Sequence, residues 1–149
     1  MKGYKGFFRP KNPSKYRGDP TNIVYRSRWE SVLMSRLDTD SNVIWWSSEE
    51  TIIPYRSPMD NRVHRYFPDF LARIKTKDGG TKTIMIEVKP YIQTIPPVLK
   101  ENKSKKKRYM QEVMTYGVNQ AKWKAATDYC RDRGYEFIIM TENELGLSV

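Results

Sequence analysis

Two short stretches of the sequence carry residue types from which a metal-dependent active site can be built. Asp69 follows Pro68, and Glu87 and Lys89 come eighteen and twenty residues after Asp69. Side chains alternate between the two faces of a β-strand, so Glu87 and Lys89 project from the same face. Carboxylate oxygens bind hard cations such as Mg²⁺ or Mn²⁺, and a neighbouring lysine can stabilise charge that develops on a phosphate. The pattern predicts a divalent-metal site with chemistry at phosphorus.

A tight turn between the two stretches indicates how they meet. The Asp-Gly and Gly-Gly steps within residues 77–80 supply the positive φ angles of a hairpin turn, so the flanking strands should be antiparallel neighbours. With a three-residue loop from Asp78 to Gly80, position i pairs with 158 − i. Asp69 then lies opposite Lys89, and Glu87 lies one step away on the same face. We therefore expect two carboxylates and one lysine to converge.

These residues resemble the signature of the PD-(D/E)XK nuclease superfamily. Pro68-Asp69 corresponds to its first part, and Glu87-Val88-Lys89 corresponds to its second part. The resemblance implies that Asp69, Glu87 and the backbone carbonyl of Val88 bind Mg²⁺ or Mn²⁺. It also implies that Asp69, Glu87 and Lys89 are catalytic in the hydrolysis of phosphodiester bonds.

A further carboxylate, Glu30, lies on a predicted helix before the sheet. The segment from Arg26 to Glu30 resembles the helix that contributes a glutamate to the metal site in the transposon-end nuclease subgroup. By this resemblance Glu30 is a catalytic residue that reaches the metal directly or through a water molecule. The alternative is an ion pair between Arg26 and Glu30, four residues apart on one helix face, which contributes only a few tenths of a kcal/mol.

Periodicity and turn residues predict an α/β order of elements around these groups. Asp19 is the expected N-cap of a first helix, with Pro20 at its first position, and this helix should end near Leu37. A long helix should end at Gly134, and Thr141 should cap a short last helix. The predicted strands cover residues 43–55, 63–75, 84–89 and 135–140. We predict a single α/β domain, a restriction-endonuclease-like mixed sheet flanked by helices.

Composition limits the function classes. The chain has 149 residues, 27 Lys and Arg against 17 Asp and Glu, and a net charge of +10, which favours a polyanionic partner such as double-stranded DNA. Cys130 is the single cysteine and His64 the single histidine, which excludes an internal disulfide and a four-cysteine zinc site. The apolar runs are too short to span a bilayer, so we expect a protein that is neither secreted nor membrane-bound.

Residues 1–18 are predicted to form a basic N-terminal arm, and residues 19–149 the nuclease-like domain. The first segment has six Lys and Arg, no acid, and interleaved aromatic residues, a composition that favours neither helix nor strand. Such an arm could follow a phosphate backbone. Equally, its aromatic side chains could cover the core of the domain.

A run of positive charge precedes the long helix. Lys105, Lys106, Lys107 and Arg108 are consecutive, and Lys122 lies outside the apolar stripe of the same helix. Runs of this kind are commonly solvated. Near a site that handles phosphate, they are the first candidates for DNA binding.

Within the superfamily, the sequence resembles most the head completion nucleases of large myovirus-type phages. The matching text comprises residues 25–30, 65–70 and 87–90 together with Tyr116 and Trp123-Lys124. The resemblance implies a DNA endonuclease of virion assembly, found in the host cytoplasm or the virion, with phage head or portal proteins as partners. A homodimer stays open. The alternatives are a non-catalytic DNA-end-binding head or neck protein and a transposase-type DNA-cleaving subunit.

Overall fold

The computed structural model describes residues 5–98 and 106–147. The strands are β1 (Gly6–Phe8), β2 (Ile23–Tyr25), β3 (Val43–Ser48), β4 (Ile53–Arg56), β5 (Val63–Tyr66), β6 (Phe70–Lys75), β7 (Thr81–Val88) and β8 (Glu136–Met140). The helices are α1 (Arg28–Thr39), α2 (Lys106–Arg133) and α3 (Glu142–Leu145), with 3₁₀ turns at Pro13–Lys15 and Tyr91–Gln93. Within the described part of the chain, none of these helices is both long and apolar enough to cross a bilayer.

A four-stranded mixed sheet with the order β3-β6-β7-β8 forms the centre of the fold. Its strands pair in antiparallel fashion except β7 and β8, which are parallel. Met34 of α1 and Ile86 of β7 are buried in the core on one face of the sheet, while Met85 of β7 and Trp123 of α2 are buried on the other. Helices therefore cover both faces, which confirms the predicted α/β architecture with a mixed sheet flanked by helices.

Two additional two-stranded ribbons lie outside the central sheet, one formed by β1 and β2 and the other by β4 and β5. The prediction of one strand over residues 43–55, with a kink, and of another over residues 63–75 was wrong, because each segment forms two strands, one in the central sheet and one in the β4–β5 ribbon. Pro68 explains the second division, since a proline cannot donate a hydrogen bond to a ladder. The chain leaves β5 after Tyr66 and enters β6 at Phe70.

The predicted start of the first helix at Asp19 was wrong. The Asp19 carboxylate accepts hydrogen bonds from the backbone N–H and hydroxyl of Thr21, which makes a local turn. Residues 23–25 then form a strand, and α1 begins at Arg28 with Ser27 as its N-cap. The Ser27 hydroxyl accepts from the Glu30 N–H at 3.1 Å, a cap that typically contributes about 1 kcal/mol.

The basic N-terminal segment includes a strand that its composition did not predict. Residues 6–8 pair with residues 23–25, across the predicted boundary at residue 18. Tyr16 is buried, with its ring centroid 4.7 Å from that of Trp46, whereas Phe7 is 67% exposed. The division into an arm at 1–18 and a domain at 19–149 stays a prediction.

The hairpin between β6 and β7 has a different register from the one predicted. Phe70 pairs with Ile86, so position i pairs with 156 − i. The Thr76 N–H donates to the Gly80 carbonyl and Gly79 has φ 87°, so the loop is residues 77–79 and begins one residue earlier than expected. A shift of two in the pairing sum preserves which face each side chain occupies. The predicted convergence on one face therefore survives the change, but Glu87, and not Lys89, lies across from Asp69.

The C-terminal elements form as predicted. α2 ends at Arg133 before Gly134, which has φ 72°, and β8 follows. The Thr141 hydroxyl caps α3, and the Glu144 carboxylate returns a hydrogen bond to the Thr141 N–H.

Candidate active site

The candidate site lies where β5, β6 and β7 meet. Asp69 occupies the bend between β5 and β6, and its Oδ2 accepts a hydrogen bond from the Val88 N–H at 2.8 Å. Glu87 is near the end of β7, which is held between β6 and β8. Lys89 follows β7, and its backbone N–H donates to the Met140 carbonyl of β8 at 3.0 Å. Neighbouring strands on both sides thus fix the backbone that carries Glu87 and Lys89.

Asp69 and Glu87 are held in a setting that disfavours two negative charges. Desolvation by burial raises the pKa of Asp69 well above its ordinary value of 3.8, and the charges of Glu87 and Glu30 raise it further. Desolvation also raises the pKa of Glu87, while a hydrogen bond from Tyr66 and the charge of Lys89 act in the opposite direction. A bound cation would relieve the repulsion between the two carboxylates.

Glu87 has two close cationic or donor partners. The Tyr66 hydroxyl donates to Glu87 Oε1 at 2.7 Å, in a buried contact, and Lys89 Nζ lies 3.8 Å from Glu87 Oε2. The sequence predicted Lys89 on the same face as Glu87 but gave Tyr66 no role. Tyr66 lies three residues before Asp69 in the sequence, and this spacing does not predict a contact with β7.

Lys122 of α2 is also brought to this site. Its ammonium lies 5.7 Å from the ring centroid of Tyr66 and 5.8 Å from that of Tyr55. The positive charge of Lys122 acts to lower the pKa of Glu87. Of the four predicted DNA-binding residues that the structure describes, Lys122 is therefore the one that lies near the carboxylates.

The structure gives Glu30 a local partner set at the start of α1. Glu30 Oε1 accepts from the Arg26 N–H at 3.2 Å, and Oε2 lies 3.2 Å from the Ser27 hydroxyl. The alternative Arg26–Glu30 ion pair was wrong, because the Arg26 guanidinium pairs with Glu49. Glu30 still contributes to the raised pKa of Asp69, so its charge is felt at the site.

Glu49 is a site neighbour that sequence reasoning missed. It has φ 54°, a left-handed conformation that is uncommon for residues other than glycine, and its N–H donates to the Asp69 carbonyl at 3.1 Å. Residues held in such conformations cluster at functional sites. Its contact with Arg26 brings a guanidinium to the same region, where Asp69 also acts on that group.

The donor chemistry of the site fits a divalent cation held by few protein ligands. Asp69 and Glu87 offer hard carboxylate oxygens close enough to perturb each other, and Mg²⁺ commonly uses one or two carboxylates and several waters. No group of three His, Cys, Asp or Glu residues within 5–98 and 106–147 is arranged to share one ion. Direct ligation by Glu30 together with both other carboxylates is therefore not formed here, whereas contact through water is compatible with this arrangement.

The predicted basic run is separate from the carboxylates. Lys106, Lys107 and Arg108 are exposed at the beginning of α2, and Arg108 pairs with Glu112 at 3.3 Å. Lys105 lies outside the described residues. At about 1.5 Å of rise per residue, sixteen residues separate Lys106 from Lys122 by about 24 Å along the helix. Among the predicted DNA-binding residues, Lys122 thus lies near the site, and the three exposed residues at the beginning of α2 lie apart from it.

Comparison with known proteins identifies the family of the chain. The family model for the TnsA-like endonuclease N-terminal domain matches residues 40–142, a segment that contains Asp69, Glu87 and Lys89 but not Glu30. The chain is also 43% identical over 144 residues to the head completion nuclease of Enterobacteria phage T4, and the match covers 95% of this chain and 93% of that protein. A family match over most of the chain, together with a relative of this similarity, shows that the chain belongs to the TnsA-like endonucleases, a family of the PD-(D/E)XK type.

Proposed function

We propose that the protein is a DNA endonuclease that uses Mg²⁺ or Mn²⁺ to hydrolyse phosphodiester bonds. The observation that carries the proposal is the approach of Asp69 and Glu87, with raised pKa values, beside Lys89. Asp69, Glu87 and the Val88 carbonyl would hold the metal, and Glu30 would act through a water molecule. The bound metal would supply a more acidic water and neutralise phosphate charge.

The protein residues have distinct parts in this proposal. Asp69 and Glu87 provide the negative charge that attracts the cation, and the hydrogen bond from the Val88 N–H keeps the Asp69 carboxylate in place. The Lys89 Nζ lies 3.8 Å from Glu87 Oε2, and the Lys89 side chain is 29% exposed. Lys89 can therefore face both the carboxylate and a bound phosphate. A preorganised ammonium at this position stabilises the negative charge that builds up on the phosphoryl oxygens.

Double-stranded DNA is the proposed substrate. The net charge of +10 attracts a polyanion, and Lys122 places positive charge directly at the carboxylates. Lys106, Lys107 and Arg108 would bind phosphates of the same duplex farther from the cleaved bond, and Lys105 is proposed as a further phosphate contact. A distance of about 24 Å between Lys106 and Lys122 corresponds to about seven base-pair steps of DNA.

The biological setting is proposed from the relative. Since a protein 43% identical to this chain is named a head completion nuclease of phage T4, we place this protein in phage head completion. It would then work in the host cytoplasm or the virion, with phage head or portal proteins as partners. A homodimer is compatible with this setting and is open to measurement by sedimentation.

Plasmid cleavage tests the proposed activity. Purified protein should nick or linearise supercoiled plasmid with Mg²⁺ or Mn²⁺ and leave it intact with EDTA. Lys89→Ala should lose this activity, while Lys82→Ala should keep it. Lys82 is a matched control because it also pairs with a glutamate, Glu136, but lies near the start of β7, whereas Lys89 directly follows the end of that strand. A wild-type protein that never cuts with either metal would favour the non-catalytic DNA-end-binding alternative.

A further inference from the structure

The β4–β5 ribbon leaves one face uncovered beside the candidate active site. Cross-strand partners of an antiparallel pair project from the same face, and here Pro54 pairs with Arg65 and Arg56 with Val63. The Arg65 guanidinium lies 5.8 Å from the ring centroid of Phe67, which places Phe67 next to the same face. We call the exposed set of Pro54, Arg56, Val63, Arg65 and Phe67 the outer ribbon face.

The opposite face of the ribbon is already occupied. Ile53 and Tyr66 are 2% and 4% exposed and belong to the core beneath α2. At the turn, a Cβ atom on Gly117 of α2 would lie 3.9 Å from the Pro58 ring, so helix and turn are in close proximity. The hydrogen bond from Tyr66 to Glu87 ties the ribbon to the catalytic strand. The ribbon is thus held on its inner face at Ile53 and Tyr66, whereas every residue of the outer ribbon face is exposed.

The chemistry of the outer ribbon face suits a nucleic acid. It contains two arginines and no acid, and Val63 and Phe67 are 60% and 41% exposed. Arg56 donates one hydrogen bond to the Asn61 carbonyl at 2.6 Å, which orients the guanidinium. A guanidinium has five N–H donors, so it can bind a phosphate at the same time.

The position of this face points to the DNA that is cut and not to a distant partner. Phe67 is two residues before Asp69, so the outer ribbon face continues to the proposed metal ligand. Four strand residues extend about 13 Å, close to the length of four base-pair steps. The major groove of B-DNA is wide enough for a two-stranded ribbon.

We propose that the outer ribbon face binds duplex DNA immediately beside the cleaved bond. Arg56 and Arg65 contact phosphates, and Val63 and Phe67 contact sugars or base edges in the groove. The inference rests on the proposed function, since it assumes that DNA enters the site at Asp69. It gives this small domain a second DNA contact, on the opposite side of the ribbon from Lys122.

DNA binding in EDTA tests the inference without metal-dependent cleavage. The affinity for a short labelled duplex is measured by fluorescence anisotropy over a series of salt concentrations. Arg56→Gln with Arg65→Gln should weaken binding and reduce the slope of log affinity against log salt by about 1.8, or about 0.9 for each lost phosphate contact. Thermal melting of the double variant verifies that it is folded.

A second double variant with the same change in charge provides the control. Lys75 and Lys77 are exposed at the far end of β6, about 20 Å from Asp69 at the usual rise of a strand. Lys75→Gln with Lys77→Gln should keep the slope of the wild type. Equal slopes for wild type and the folded ribbon variant would overturn the inference, and this includes the case in which the face binds a protein.

The outcome is separable from that of the plasmid assay. A wild type that does not cut plasmid, together with a reduced slope in the ribbon variant, removes the nuclease proposal and supports DNA binding by this face. A wild type that cuts, together with an unchanged slope, supports the nuclease proposal and overturns the inference.

Discussion

Replacing Tyr66 by phenylalanine tests whether a buried phenol positions Glu87 for metal binding. The substitution keeps the ring in the core and removes only the hydroxyl that donates to Glu87 Oε1 at 2.7 Å. Desolvation and the charge of Glu87 raise the pKa of Tyr66 far above its ordinary value of 10, so the phenol stays a donor throughout the working pH range. In the variant, Glu87 loses this donor and keeps the charges of Lys89, whose Nζ lies 3.8 Å from Glu87 Oε2, and of Lys122.

The expected size of the effect follows from the kind of hydrogen bond that is lost. A hydrogen bond to a charged group contributes about 1.5–3 kcal/mol. The loss of an outer partner that orients a metal ligand typically lowers metal affinity by about 10–100-fold, or about 1.4–2.7 kcal/mol. Both arguments predict that Tyr66→Phe binds Mn²⁺ about 10–100-fold more weakly than the wild type.

Calorimetric titration with Mn²⁺ at fixed pH measures this affinity without requiring DNA or turnover. Tyr55→Phe is the matched control, because Tyr55 lies under the same Lys122 ammonium, at 5.8 Å, on the same face of the ribbon. It should bind Mn²⁺ like the wild type. If Tyr66→Phe lowers the melting temperature but leaves Mn²⁺ affinity unchanged, the hydrogen bond is structural and the reasoning is refuted.

Three further predictions concern the charges at and near the site. The pKa of Asp69 is raised in the folded protein. Ionisation of Asp69 therefore lowers the free energy of unfolding of the metal-free protein as pH rises from the ordinary pKa of 3.8 through the raised pKa. Asp69→Asn should therefore melt higher than wild type in EDTA, by a margin that grows with pH, and should lose the Mg²⁺-induced rise in melting temperature; a retained rise would contradict the ligand assignment. Lys89→Ala should lower the cleavage rate on the order of 10²-fold or more at nearly unchanged DNA affinity, and an equal loss of affinity would argue against a transition-state role. Neutralising Lys106, Lys107 and Arg108 to glutamine should flatten the salt dependence of binding by up to about 0.9 for each contact, whereas an unchanged dependence would make this segment merely solvated.

The strand β7, which carries Glu87, could be predicted because the pattern that indicates it is local. Alternation fixed Glu87 and Lys89 on one face, and the glycines of the turn fixed an antiparallel neighbour. The exact loop was misplaced by one residue, which moved the residue opposite Asp69 from Lys89 to Glu87. The error shifts the strand pairing by two residues, so each side chain still lies on the predicted face of the sheet.

The elements outside the central sheet could not be predicted from local pattern. Asp19-Pro20 is a good helix start by composition, yet residues 23–25 pair with residues 6–8, and Ile23 is 1% exposed. Tertiary burial of a β-branched residue outweighs a weak helix preference. Nothing in the sequence near Pro68 shows whether the chain bends within one sheet or moves to another.

The contacts of the site with residues distant in sequence were likewise beyond reach. An ion pair between Arg26 and Glu30 was the alternative to a metal-site role for Glu30, whereas in the fold the Arg26 guanidinium pairs with Glu49. Tyr66 of β5 reaches Glu87 of β7 although β5 pairs with β4 and not with β7. Local spacing identifies which groups share a strand, but only the assembled fold decides which groups meet across strands.

The parallel pairing of β7 with β8 has a consequence for the order in which the protein acquires activity. β7 ends at Val88, but the strand that supports it on one side begins only at Glu136, after the whole of α2. Pairings between segments so far apart form late, because the intervening chain must first be synthesised and closed into a loop. A nascent chain synthesised as far as Lys89 carries all the proposed catalytic residues but still lacks β8, whose Met140 carbonyl accepts a hydrogen bond from the Lys89 N–H. The proposed cutting centre would therefore not be complete before β8 has been synthesised and paired with β7.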